Sequence, residues 1–167
     1  LIIFMHGGSF YGGDKNEADC EDFCESFAKR GYVTASINYR LVGFLDVVNF
    51  LTYNSKQYEV VLQAVADAKS AVRFFRKDYY ENNNSYGIDP NSIFAGGSSA
   101  GAIIAIHLAY IDDISDLPTN PINVQNIATT IGGIEGDAGN NGYSSSINGV
   151  ISFAGGINNI NWIDSSD

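Results

Sequence analysis

Positive charge is scarce in this chain. Nine Lys and Arg stand against nineteen Asp and Glu over 167 residues, a formal net charge of −10. A field of that sign repels nucleic-acid phosphates and anionic lipid headgroups, so neither is an expected partner. Cysteine is nearly absent, with only Cys20 and Cys24. Four apart on one face of an expected helix, they have poor geometry for a bridge. Without partner His or Cys they do not form a zinc site either, and they read as packing beside Phe23 and Phe27. No apolar run approaches the roughly 18–20 residues of a membrane span. No basic segment followed by an apolar one opens the chain, which starts on Leu1 inside what reads as a strand, without an initiator Met. The expectation is therefore a piece cut at both ends from a longer protein, which leaves its location open. The many Asn, Gly and Ser of the second half tilt the reading towards a secreted or periplasmic protein over a cytoplasmic one.

What remains is one domain's worth of chain with material for a real core, 45% hydrophobic and 13% aromatic. Leu1–Met5 reads as a buried strand, 16–29 as a helix, and Tyr32–Tyr39 as a second strand. A long helix spans Gln57–Tyr80, where Val61, Ala64, Val65, Ala68, Ala71, Val72 and Phe75 recur at helical spacing. Asp67, Lys69, Arg73 and Arg76 fall off that stripe and read as its solvated side. Asn82–Asn84 and Gly87 stop the helix, and Asp89-Pro90-Asn91 turns the chain into a third strand at Ile93–Ala95. Ala100–Tyr110 is a helix apolar almost all round, and Gly149–Phe153 a further strand. Alternating β and α segments with continuously apolar strands imply α/β architecture, a mostly parallel sheet with helices on both faces.

Two stretches break the alternation. Leu41–Lys56 is rich in Phe, Val and Leu and reads as an apolar loop, suited either to lining an acyl or alcohol pocket or to ordinary packing. Residues 112–148 form a polar, Gly-rich segment, either a cap-like insertion or a loop. Within it Asp137–Gly142 resembles a calcium loop only superficially. Its third position is Gly, and Asn148 stands where a bidentate Glu belongs, so no metal and no cofactor are expected.

The chemistry concentrates in two motifs. Gly97-Ser98-Ser99-Ala100-Gly101 spells G-x-S-x-G between a strand and a helix, the context of a nucleophile elbow. Ser99 is the candidate nucleophile, and the elbow glycines Gly97 and Gly101 let strand and helix approach closely. The first strand runs into His6-Gly7-Gly8, a loop whose bare backbone can turn N–H groups outward. Such donors stabilise the oxyanion of acyl transfer. The expected hole pairs Gly7 and Gly8 with the N–H of Ala100, and His6 supports the loop.

These segments resemble the α/β-hydrolase esterases and lipases with an HGG oxyanion loop, close to the carboxylesterase and hormone-sensitive-lipase-like groups. The matching stretches are HGGSFYGGD (6–14), AKRGYVTASINYRL (28–41), AVADAKSAVRFFR (64–76) and DPNSIFAGGSSAGA (89–102). Beyond about residue 115 only 149–156 matches. The resemblance implies an incomplete α/β-hydrolase fold and a small-molecule ester as substrate. It also places the triad acid and base after two further strands, and neither Asp164 nor Asp167 fits that pattern. The chain has two histidines. His6 belongs to the loop. His107, about 12 Å along the helix axis from Ser99, reads as a packed or hydrogen-bonded helix residue. As it stands the fragment is expected to turn over poorly. A peptidase of the same fold and a catalytically silent binding protein remain the alternatives, and nothing indicates the oligomeric state.

Overall fold

The computed structural model describes residues 1–158 and 160–163. Its sheet is parallel throughout, in the order β2-β1-β3-β4. The strands are β1 (Ile2–Met5), β2 (Thr34–Ile37), β3 (Phe94–Ser98) and β4 (Gly149–Phe153). β1 is paired on both sides and all four of its residues are buried, so it is apolar without alternation. Helices cover both faces, as the pattern implied. On one face Phe23 of α1 (Ala18–Ala28) stacks on Phe4, ring centroids 4.1 Å apart. On the other, Ile3 and Met5 share a core with Val65 and Ala68 of α3 (Asn54–Glu81) and Ile104 of α4 (Ala100–Tyr110). Two Asn in the left-handed region, Asn83 and Asn84 with φ of 57° and 54°, follow the end of α3. The Asn84 side chain then secures the turn by bonding both N and O of Ile88. Cys20 is buried and Cys24 half-buried, both free thiols, and burial pushes the Cys20 thiol pKa up to about 11.

Several boundaries differ from the sequence reading. β3 does not stop at Ala95 but runs through Gly96 and Gly97 to Ser98. The absent Gly96 side chain leaves room for Phe4 and Ile151, so this stretch has no apolar signature of its own. The expected loop over 41–56 is instead a 3₁₀ turn (Phe44–Asp46), α2 (Val47–Thr52) and the first turn of α3. Segment 112–148 joins the end of α4 to the start of β4 and contains a 3₁₀ turn (Ile114–Asp116) and α5 (Val124–Thr130). α5 packs against α3 through Val124, Ala128 and Leu62.

The larger correction concerns the supposed solvated side of α3. Lys69 and Arg73 are each 1% exposed. Both pair with Glu135, Lys69 Nζ at 3.2 Å and Arg73 Nη1 at 2.6 Å from its carboxylate oxygens. Lys69 also donates to Ile111 O, and Arg73 donates twice to Gly139 O. Two buried cations thus clamp the 131–140 stretch onto the helix. Burial drives the Lys69 pKa down. Burial pushes Glu135 up, but Lys69, the Ser145 hydroxyl and Arg73 outweigh it and hold the carboxyl below its usual range. Asp67 and Arg76 are half-buried, Asp67 accepting from Arg40 and Arg76 donating to Pro90 O and Ser144 O.

Removing the Glu135 charge leaves two buried cations short of a counterion. A fully buried pair broken in this way costs about 3–5 kcal/mol, and Glu135 keeps partial water access, so Glu135→Gln should destabilise by about 2 kcal/mol at pH 7. A depressed carboxylate pKa gives stability that is present above the unfolded-state value and lost as pH falls through the folded one. The penalty should therefore shrink below about pH 4. Urea unfolding of both proteins at pH 7 and pH 3.5 checks this, and an equal difference at both pH values would contradict the clamp.

Candidate active site

Strand register brings the two motifs together. Met5 pairs with Gly97, so the residues leaving the carboxyl ends of β1 and β3, His6-Gly7 and Ser98-Ser99, run side by side. The chain connects β1 to β2 on one side and β3 to β4 on the other, so the strand order reverses between β1 and β3. In open α/β sheets the crevice outside that reversal is where ligands bind. Adjacency is close: a Cβ built on Gly7 would stand 3.6 Å from Ser99 Cβ and 3.4 Å from Ser98 O.

Ser99 is exposed and adopts φ 51°, ψ −113°, a conformation L-residues rarely hold. Its N–H donates to Phe153 O at 2.8 Å, and its carbonyl accepts from Ile103 N–H at 3.0 Å. The residue is thus fixed from both sides at the sharp bend into α4. Ala100, the first residue of α4, carries an N–H with no intrahelical acceptor, at the positive end of the helix dipole. The bend is tight because Gly97 and Gly101 touch: a Cβ on Gly97 would collide with the Gly101 backbone, and one on Gly101 with the Met5 carbonyl.

The 6–14 loop is strained in its own way. Gly8, Ser9 and Phe10 all have positive φ, 111°, 53° and 66°. Gly8 O accepts from Tyr11 N and Gly12 N, and a Cβ on Gly8 would collide with the Gly12 carbonyl. His6 is 1% exposed, and its Nδ1–H donates to Gly7 O at 2.6 Å. The loop's far end is pinned by the Asp14 carboxylate, which accepts from Asn16 N–H and Asn38 Nδ2 and is held below its usual pKa by them. Phe10 is buried against Tyr39 and Phe50 of α2.

Tyr39 escaped the sequence reading as a site residue. Its ring stacks on His6, centroids 4.4 Å apart, and its hydroxyl shares its one proton between His6 O and Gly7 O at 3.0 and 3.2 Å. Burial raises its phenol pKa, so it stays protonated and a donor. The available signal was positional, since Tyr39 ends the segment of the strand next to β1.

Neither histidine is free to act as a base for Ser99. His6 is committed to the loop. His107 is 4% exposed, donates from Nδ1 to Ile103 O at 2.7 Å and meets Trp162 edge-on. Burial lowers its pKa. It helps line an apolar cavity of about 320 Å³ between α3, α4, Gly156–Asn158 and Trp162, which Ser99 does not border. Asp164 and Asp167 lie outside the described residues. Of the 41–56 stretch, Val42 and Phe50 are buried, whereas Phe44 and Leu45 are 92% and 90% exposed.

Comparison with known proteins places the chain in a wider group. The profile of the BD-FAE family matches residues 1–166. Esterase 2 of Thermogutta terrifontis, solved after phosphorylation by paraoxon, superposes with a TM-score of 0.61 at 28% identity, covering 92% of this chain and 45% of that one. Gut esterase 1 of Caenorhabditis briggsae is 27% identical over 73% of this chain and 20% of its own length. Neuroligin-like protein glit-1 of Caenorhabditis elegans is 31% identical over 65% of this chain and 13% of its own. The chain thus spans less than half the length of these similar proteins.

Proposed function

The chain belongs to the BD-FAE family, with an α/β-hydrolase fold of the carboxylesterase kind, and from that premise we propose that it carries the nucleophile and oxyanion site of a carboxylic-ester hydrolase. Ser99 Oγ attacks the ester carbonyl. The N–H groups of Gly7, Gly8 and Ala100 receive the oxyanion, the alcohol departs, and water releases the acyl group from Ser99. The elbow glycines Gly97 and Gly101 set the bend, and His6 braces the loop. The observation that supports this reading is the placement of Gly7 beside an exposed Ser99 held at φ 51°. A binding surface needs neither that strain nor a bare glycine beside a hydroxyl.

A serine hydroxyl attacks poorly until a base takes its proton. With both histidines buried and engaged, the base and its acid partner come from outside this chain in the whole protein. The fragment alone therefore hydrolyses esters at close to background rate.

Comparing p-nitrophenyl acetate and butyrate with aminoacyl p-nitroanilides on the full-length protein tests the reaction class. Esters should turn over faster by at least about 100-fold, roughly 2.7 kcal/mol of barrier. Faster anilide cleavage would make the protein a peptidase instead.

A further inference from the structure

Tyr39 holds two consecutive carbonyls, and their peptide units carry the two glycine donors of the proposed oxyanion site. The His6 carbonyl shares a peptide plane with Gly7 N–H, and the Gly7 carbonyl shares one with Gly8 N–H. Both peptides are trans, and in a trans peptide the C=O and N–H point in opposite directions. One buried hydroxyl placed 3.0 and 3.2 Å from the two oxygens therefore turns both N–H groups away from itself, out of the core. The His6 ring reinforces the second plane by donating from Nδ1 to the same Gly7 oxygen at 2.6 Å.

We propose that Tyr39 is the positioning residue of this oxyanion site, orienting the Gly7 and Gly8 amides without touching substrate. The role rests on the reading of Ser99 as nucleophile. Sheet register explains why the residue sits there. Ile37 pairs with Met5 and Met5 with Gly97, so stepping two residues past each strand's pairing aligns Tyr39, Gly7 and Ser99 in one row across three adjacent chains. The phenol suits the task in reach and in chemistry. Its ring is fixed by stacking on His6 and by the edge of Phe10, and burial keeps its proton on. Phenylalanine at this position preserves both ring contacts and removes only the hydroxyl.

The test is Tyr39→Phe in the full-length protein, with active sites titrated by a fluorophosphonate so that rates are per competent molecule. The expected result is kcat for p-nitrophenyl butyrate reduced about 10- to 100-fold with KM changed less than about 3-fold, the signature of donors that act in the transition state. Affinity for a trifluoromethyl ketone, whose hemiketal oxygen occupies the same hole, should fall in proportion. A purely structural role would lower the titrated fraction and leave the per-site kcat and ketone affinity unchanged, and that outcome overturns the proposal. Should Tyr39→Phe fold poorly, 3,5-difluorotyrosine at position 39 keeps the shape and makes the hydroxyl more acidic. Its activity should then fall with rising pH where the unsubstituted protein's does not, and an unchanged pH profile counts against the proposal. Ser99→Ala run in parallel separates the two claims. Hydrolysis that survives in Ser99→Ala removes the nucleophile reading and this inference with it, whereas Ser99-dependent hydrolysis with an unaffected Tyr39→Phe removes this inference alone.

Discussion

Ser99→Ala in the full-length protein should reduce ester hydrolysis on the order of 10⁵- to 10⁶-fold, because a nucleophile that acts as one unit with its base takes the whole covalent route with it when removed. A residual rate above water should persist, since the glycine amides and the binding surface remain. Ser98→Ala, one residue earlier at the end of β3, should change the rate only a few-fold. The elbow also predicts a stability effect in the opposite direction. Ser99 sits at φ 51°, ψ −113°, and a residue held in such a region costs about 1–3 kcal/mol. Ser99→Gly should therefore be inactive and more stable, by about 1 kcal/mol in chemical denaturation. Activity lost together with stability would mean that Ser99 serves the fold and not the chemistry.

Gly101→Ala should be among the most damaging single methyls in the chain. Its Cβ would collide with the Met5 carbonyl oxygen and stand 2.6 Å from the carbonyl oxygen of His6. Both obstacles are backbone, of the last residue of β1 and of the residue after it, so no rotamer change relieves them. β1 and α4 must separate, which opens the buried core of Met5, Ala100 and Ile104. Overpacking against side chains costs about 1–3 kcal/mol, and against rigid backbone about 3–4 kcal/mol is expected. That is a large share of the ordinary 5–15 kcal/mol of domain stability. Gly43→Ala is the control, with no atom within 4 Å of the added Cβ and an ordinary φ of −63°. Urea midpoints should fall sharply for the first and stay within error for the second. A Gly101→Ala loss under about 1 kcal/mol would mean that the helix and strand are not in contact there.

How much of this was legible in the residues themselves depends on the range of the interactions. The α/β alternation, the parallel sheet and the strand–turn–helix context of Ser99 were readable, because apolar runs such as Leu1–Met5 and the stripe on α3 are local signals. The far half of β3 was not. Gly96 and Gly97 offer no apolar signature, and they belong to the strand because Phe4, Ile151 and the Gly101 backbone need the space. The burial of Lys69 and Arg73 was misread for a related reason. A cation off the apolar face of a helix ordinarily meets water, and their counterion Glu135 lies 66 and 62 residues away in sequence. Within the candidate site, the glycines and Ser99 announced themselves by spacing. Tyr39 did not, since its partners are carbonyls of a neighbouring strand's loop and only the register reveals them.

The central claim is spatial, that the Ser99 oxygen faces amide hydrogens of the 6–8 loop and of Ala100. A crystal structure of the full-length protein after reaction with a diethyl phosphoryl ester tests it most directly. The predicted structure has phosphorus bonded to Ser99 Oγ and the phosphoryl oxygen about 2.7–3.1 Å from the N–H nitrogens of Gly7, Gly8 and Ala100. Phosphorus on another residue, or a phosphoryl oxygen turned to solvent with those three amides unoccupied, would contradict it.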